Sequence, residues 1–239
     1  MRISRRSLIR GSAALALTTL LSDGAWAEEH EDRGVTPDDA LAMLKEGNRA
    51  FVEDRQPRYP FGPERRHEIA REQHPCATLV CCSDSRVGPE QLFEQGLGEL
   101  FVVRNAGSTA ANYQAMGSIE YGVEHLHAPL LVVLGHSKCG AVSAAVDIVE
   151  HNARLPGSIE AMVEPIVPAV LAVRGQPGDL VENAVRENVR RIVGRLRSPE
   201  QPLLYPALRA GHLRVVGAVY DLETGVVDFF DEGSRAAVQ

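Results

Sequence analysis

The feature that most restricts the fold is a pair of short, unbroken apolar runs, Ala77-Thr-Leu-Val-Cys81 and Pro129-Leu-Leu-Val-Val-Leu134, set among segments of helical character. A strand made of such a run has no solvated face and must be covered on both sides. Strands of this kind belong inside a mainly parallel sheet with helices packed on either surface. Leu100-Phe-Val-Val103 reads as a further strand. Residues 213–219 and 226–230, separated by Asp-Leu-Glu-Thr-Gly, read as a terminal hairpin.

Helices are expected between these runs, at 36–53, about 64–72, 89–95, 110–127, 139–151, 156–173 and 179–197. The first has a clear start in Thr36-Pro37-Asp38-Asp39: a capping hydroxyl, a proline in the first turn and acids at the positive end of the helix dipole. The expected architecture is α/β: a mainly parallel central sheet flanked by helices, an N-terminal helical arm and a C-terminal antiparallel strand or hairpin. No repeat, low-complexity tract or second-domain boundary interrupts residues 36–239, so a single domain is expected there.

Residues 1–27 read differently. Four arginines (2, 5, 6 and 10) precede an apolar stretch from Gly11 to Leu21, and Ala25-Trp26-Ala27 supplies a small-x-small cleavage site. This is the pattern of an export signal, and the adjacent Arg5 and Arg6 give it twin-arginine character. A bilayer span needs about 20 apolar residues, more than this stretch offers. A polar, flexible leader is expected at 28–35, and a periplasmic or secreted location follows. The 239 residues carry a formal net charge of −7, which becomes −10 once 1–27 and their four Arg and single Asp are removed. With no basic stripe, nucleic-acid binding is disfavoured, because phosphate neutralisation needs clustered Lys and Arg. Four cysteines are too few for a disulfide framework but enough for a metal site.

Two segments carry the chemistry. Cys82-Ser-Asp84-Ser-Arg86 directly follows the first apolar run, and His136-Ser-Lys-Cys139 follows the second. Ligands of open parallel sheets bind beyond the carboxyl ends of strands, so the segments converge if their strands are neighbours. Cys82, His136 and Cys139 then offer two thiolates and an imidazole, a donor set that suits one Zn2+ per chain, with the fourth tetrahedral position left for water or a carboxylate. Taken singly these residues have ordinary explanations: a buried Cys is usually a small hydrophobe, and Asp84 with Arg86 reads as an ion pair. The weight lies in the combination.

Cys-x-Asp-x-Arg followed some fifty residues later by His-x-x-Cys resembles the signature of the β-class carbonic anhydrases. The resemblance continues in Gly98-Glu-Leu-Phe-Val-Val-Arg104-Asn105-Ala106-Gly107, in Gly117-Ser-Ile-Glu120-Tyr121 and in residues 133–142, and it spans roughly Thr36 to Phe230. It implies zinc on Cys82, His136 and Cys139, and reversible hydration of CO2 to bicarbonate by zinc-hydroxide. Asp84 and Arg86 would form the dyad that orients the nucleophile, Asp84 becoming a fourth ligand in a closed state. It further implies that Gln73 donates to the substrate oxygen, that Phe101 and Tyr121 wall the CO2 pocket, and that Gly140 lies in the substrate site. Leu79 stands where bicarbonate-regulated members carry Trp, which favours the open-site type. A homodimer or larger homo-oligomer is implied, the leading helix wrapping a neighbour. Other classes stay open: a structural zinc domain, which has no need of the dyad, and a zinc hydrolase of CS2 or COS. Cys81 is expected on the face opposite Cys82, and a disulfide involving Cys76 is possible but unforced. His67, His74, His125, His127, His151 and His212 lack ligand spacing with the site.

Overall fold

A computed structural model describes residues 34–55 and 61–233. The expected export signal and nearly all of the leader lie outside them. The first helix, α1 (Pro37–Val52), begins with a complete capping box. The Asp39 N–H donates to the Thr36 hydroxyl, and the Thr36 N–H donates back to the Asp39 carboxylate; such a cap is worth about 1 kcal/mol. Then follow α2 (Pro63–Ile69), β1 (Ala77–Cys81), α3 (Pro89–Leu92) and β2 (Leu100–Arg104). Next come α4 (Tyr113–Glu120), β3 (Leu130–His136), α5 (Gly140–His151), α6 (Ile159–Val163) and α7 (Val167–Val173). The chain closes with α8 (Leu180–Leu196), α9 (Leu204–Arg209), β4 (Arg214–Tyr220) and β5 (Val227–Asp231).

The five strands form one sheet in the order β2-β1-β3-β4-β5, parallel throughout except for the antiparallel β5. The two apolar runs are therefore neighbours, with Cys81 paired in register with Leu134. Every residue of β1 and β3 is buried. One surface of the sheet is covered by α1 and α3, through Ala40, Leu41, Leu44, Leu92 and Phe93 packed on Leu79, Cys81 and Val132. The other is covered by α4 and α8, through Ile119, Val189, Ile192 and Val193 on Val80, Val133 and Val215.

The leading helix is seated on its own chain. Beside the apolar contacts, the buried Asn48 donates to the Leu92 and Gly225 carbonyls and accepts from the Val227 N–H. These bonds seat one face of α1 on its own chain, while Met43 and Val52 on the same helix stay exposed. Two expected helices are remodelled. Residues 156–173 divide into α6, a single 3-10 turn and α7, where Pro165 and Pro168 remove N–H donors from the ladder. Residues 110–127 end in a π-turn at Tyr121–His125. Helix α9 went unread in the sequence.

Candidate metal centre

Strands β1 and β3 end side by side, and the chain leaves each directly into a ligand segment. Cys82 follows β1, His136 is the last residue of β3, and Cys139 is the N-cap of α5. One donor atom from each lies within 4.8 Å of the other two, and all three residues are buried. Cys82 and Cys139 emerge into a third apolar cluster, with Val142, Ile166, Val170 and Val185. Cys81 points into the opposite layer, as alternation along a strand requires.

The imidazole shows how the site is poised. Its Nδ1 lies 2.9 Å from the Ser137 carbonyl, which can only accept, so Nδ1 carries the proton and Nε2 presents a lone pair. That Nε2 is buried without a hydrogen-bond partner. An orphaned buried acceptor costs about 1–3 kcal/mol and calls for an electrophile. The two sulfurs act on each other: Cys82 is lowered to about 4, chiefly by hydrogen bonding with Cys139, while the Cys139 thiol is pushed up, chiefly by that same interaction and then by burial. The Gly107 N–H adds a contact to the Cys82 sulfur at 3.4 Å. A nitrogen and two sulfur donors at this spacing, one sulfur in a setting that favours its anionic form, fit a tetrahedral Zn2+.

Beside the donors stands the dyad. Arg86 grips Asp84 as a fork, Nε to Oδ1 at 2.9 Å and Nη2 to Oδ2 at 2.7 Å, and the Arg86 N–H adds a third bond to Oδ1 at 3.0 Å. The fork holds the Asp84 carboxyl well below the usual carboxylate range, against the opposing effect of burial. Asp84 Oδ2 lies 3.9 Å from His136 Nε2, so the carboxylate borders the donor cluster without filling it. Gly140 is exposed, and nothing lies within 4 Å of where a Cβ on it would stand, which leaves the approach beside Cys139 open.

The remaining expected site residues are not brought together with these. Gln73 precedes β1 and is exposed at the end where that strand begins, whereas Cys82 lies beyond its far end. Phe101 is paired with Thr78, near the start of β1. The Tyr121 ring lies 5.9 Å from the Phe101 ring and 4.8 Å from the His125 ring. All three belong to the amino end of the sheet, and a strand rising about 3.3 Å per residue stands between them and the donors of the same chain. Sequence reasoning gave no role to Arg104, whose guanidinium donates to the carbonyls of Cys82 (3.0 Å) and Asp84 (2.9 Å) and so braces the first ligand segment. Its signal was its place in the Arg-Asn-Ala-Gly run. Cys76 and Cys81 are buried free thiols, each raised by burial to about 12, and all four cysteines are unpaired.

A mainly parallel sheet that delivers two cysteines and a histidine to one point, with a forked carboxylate alongside, defines the class of metal-site α/β enzymes. The comparisons are specific: a family profile described as carbonic anhydrase matches residues 77–227. A carbonic anhydrase of Mycolicibacterium smegmatis is 39% identical over 190 residues, covering 79% of this chain and 91% of its own. One from Pseudomonas aeruginosa is 33% identical over 204 residues, covering 79% and 88%. Among solved structures, the Coccomyxa β-carbonic anhydrase in complex with acetazolamide aligns with a TM-score of 0.60 at 29% identity, over 69% of this chain and 75% of that one. The chain belongs to the carbonic anhydrase family, and its sheet and helices follow the β-carbonic anhydrase fold.

Proposed function

We propose that the protein hydrates CO2 reversibly to bicarbonate and a proton at a zinc ion held by Cys82, His136 and Cys139. The observation that carries the metal is the buried, unpartnered His136 Nε2 facing two sulfurs. Zinc in such a setting supplies Lewis acidity, bringing the pKa of a water to about 7. The protein's own part is orientation. Asp84, kept ionised by Arg86, can only accept hydrogen bonds, so it takes one from the attacking water and aims the oxygen lone pair at carbon. The fork to Arg86 fixes both carboxylate oxygens and opposes a swing of Asp84 toward the donors. Stopped-flow CO2 hydration with zinc content measured alongside tests this reading. Cys82→Ser, His136→Ala and Cys139→Ser should each lose metal and activity together; full zinc in all three would overturn it.

The pocket wall comes, on this reading, from a second copy. Gln73, Phe101 and Tyr121 lie at the amino end of the sheet, so the three act on substrate only if an antiparallel neighbour brings that end to the zinc. β2 is an edge strand, and a two-fold pairing about it satisfies that requirement twice over. Export is supported separately by Arg5-Arg6, the apolar stretch and Ala25-Trp26-Ala27. Replacing both arginines by Lys should hold the precursor in the cytoplasm, and normal export of that variant would refute the twin-arginine route.

A further inference from the structure

The two residues between His136 and Cys139 are tied to groups outside their loop. The Ser137 N–H donates to the Tyr220 carbonyl at 2.9 Å, and its hydroxyl accepts from the Leu222 N–H at 2.9 Å. The Lys138 N–H donates to Oε1 of Glu182, on the first turn of α8, at 2.8 Å. Lys138 has φ of +54°, a left-handed conformation that costs a side-chain-bearing residue about 1–2 kcal/mol. It adopts it inside the one short span that must aim both a nitrogen and a sulfur at a single point. The Glu182 backbone is held in place, because its N–H donates to the Asp179 carboxylate that caps α8, at 2.9 Å. The other tie on Lys138, Nζ to Glu223 at 3.5 Å, joins two solvent-exposed groups and restrains little.

We propose that Glu182 is a positioning residue for the metal: by accepting the Lys138 N–H it holds the left-handed turn that sets the His136–Cys139 geometry. The proposal rests on the zinc reading above. Contacts that orient ligands from outside the coordination sphere govern 10–100-fold in metal affinity, and here the contact comes from a helix more than forty residues downstream. The bond requires an acceptor at the reach of a Glu side chain, and it does not require charge.

The test is zinc affinity of the full chain by competition with a chromophoric chelator, with thermal melting of the metal-free protein recorded beside it. Glu182→Ala should weaken zinc by about 10–100-fold. Glu182→Asp, which keeps the charge at the helix start but is one methylene short, should lose affinity in the same way. Glu182→Gln, which keeps the acceptor and its reach, should stay close to wild type. Adding Lys138→Gly to Glu182→Ala should restore much of the loss, since glycine enters the left-handed region without a Cβ clash. A merely structural role at the start of α8 would lower melting and leave affinity unmoved. Equal zinc affinity in wild type, Glu182→Ala and Glu182→Asp would overturn the proposal and leave the metal site intact. Equal weakening in Glu182→Gln and Glu182→Ala would overturn it in favour of charge. A wild-type chain that takes up no zinc would overturn the metal reading and this proposal together.

Discussion

Asp84 and Arg86 are two residues apart, and their pairing bears on the stability of the chain as well as on the proposed chemistry. The Asp84 side chain is 16% exposed and the Arg86 side chain 54%, so solvent screens part of the attraction and the effect on folding is modest. Its pH dependence has a definite sign. A carboxyl whose folded pKa is depressed contributes stability above its unfolded pKa, about 3.9 for Asp, and loses that contribution as pH falls toward the folded value. Arg86→Ala removes the largest cause of the depression. The stability gap between wild type and Arg86→Ala should therefore be constant from pH 7 down to about 5 and narrow only below about 4. Urea unfolding of the metal-free proteins along that series checks it, and a gap that closes near neutrality would mean another group is responsible. The dyad was legible in the sequence because both partners sit in one pentapeptide. Glu182 was not: its bond to Lys138 spans 44 residues, and nothing in a first-turn glutamate distinguishes a loop brace from an ordinary helix-start acid.

Among the elements, α1 is held to the sheet by close approach as much as by apolar area. A Cβ placed on Gly47 would stand 1.7 Å from the Phe93 carbonyl oxygen, so the helix passes the end of α3 at a distance only glycine allows. The obstacle is backbone and cannot rotate away. Gly47→Ala should therefore cost about 3 kcal/mol, the upper end of overpacking penalties, although alanine is the better helix former. Equilibrium urea unfolding measures the loss, and a neutral or stabilising result would show that α1 docks more loosely. Apart from α9, element existence was well marked in the sequence, since caps and apolar runs act locally. The start of α1 at Thr36-Pro37 and the bounds of β1 were read as they stand. The misreadings have local causes too. An unbroken helix over 156–173 ignored the donors that Pro165 and Pro168 lack. The π-turn at Tyr121–His125 lies where the chain passes close to the sheet, since a Cβ on Gly122 would meet Thr78 Oγ1 at 2.3 Å and the Phe101 ring at 2.9 Å, and no spacing rule reveals that approach.

For the whole molecule, the arrangement of the expected site residues makes a prediction about assembly that does not depend on measuring mass. The metal donors sit at the carboxyl end of the sheet, while Gln73, Phe101 and Tyr121 sit at its amino end. The sequence grouped them because family resemblance names residues without saying which copy supplies them; only topology separates them. If two copies pair antiparallel about β2, each site takes its metal from one chain and its Gln73 from the other. Two defective variants should then complement. Cys82→Ser has no metal site, and Gln73→Leu keeps the metal but loses the donor to substrate. In a mixed dimer, one site combines intact donors from the Gln73→Leu chain with Gln73 from the Cys82→Ser chain and is whole; the other carries both defects. Random pairing makes about half of the dimers mixed by two-fold symmetry, so co-refolding equal amounts should recover about a quarter of the wild-type CO2 hydration rate per chain. Separately refolded variants, mixed only in the cuvette and slow to exchange, should show the mean of their own low rates. Recovery only after co-refolding would establish that the site is built across two copies; equal low activity in both preparations would place Gln73 either in its own subunit or outside the reaction.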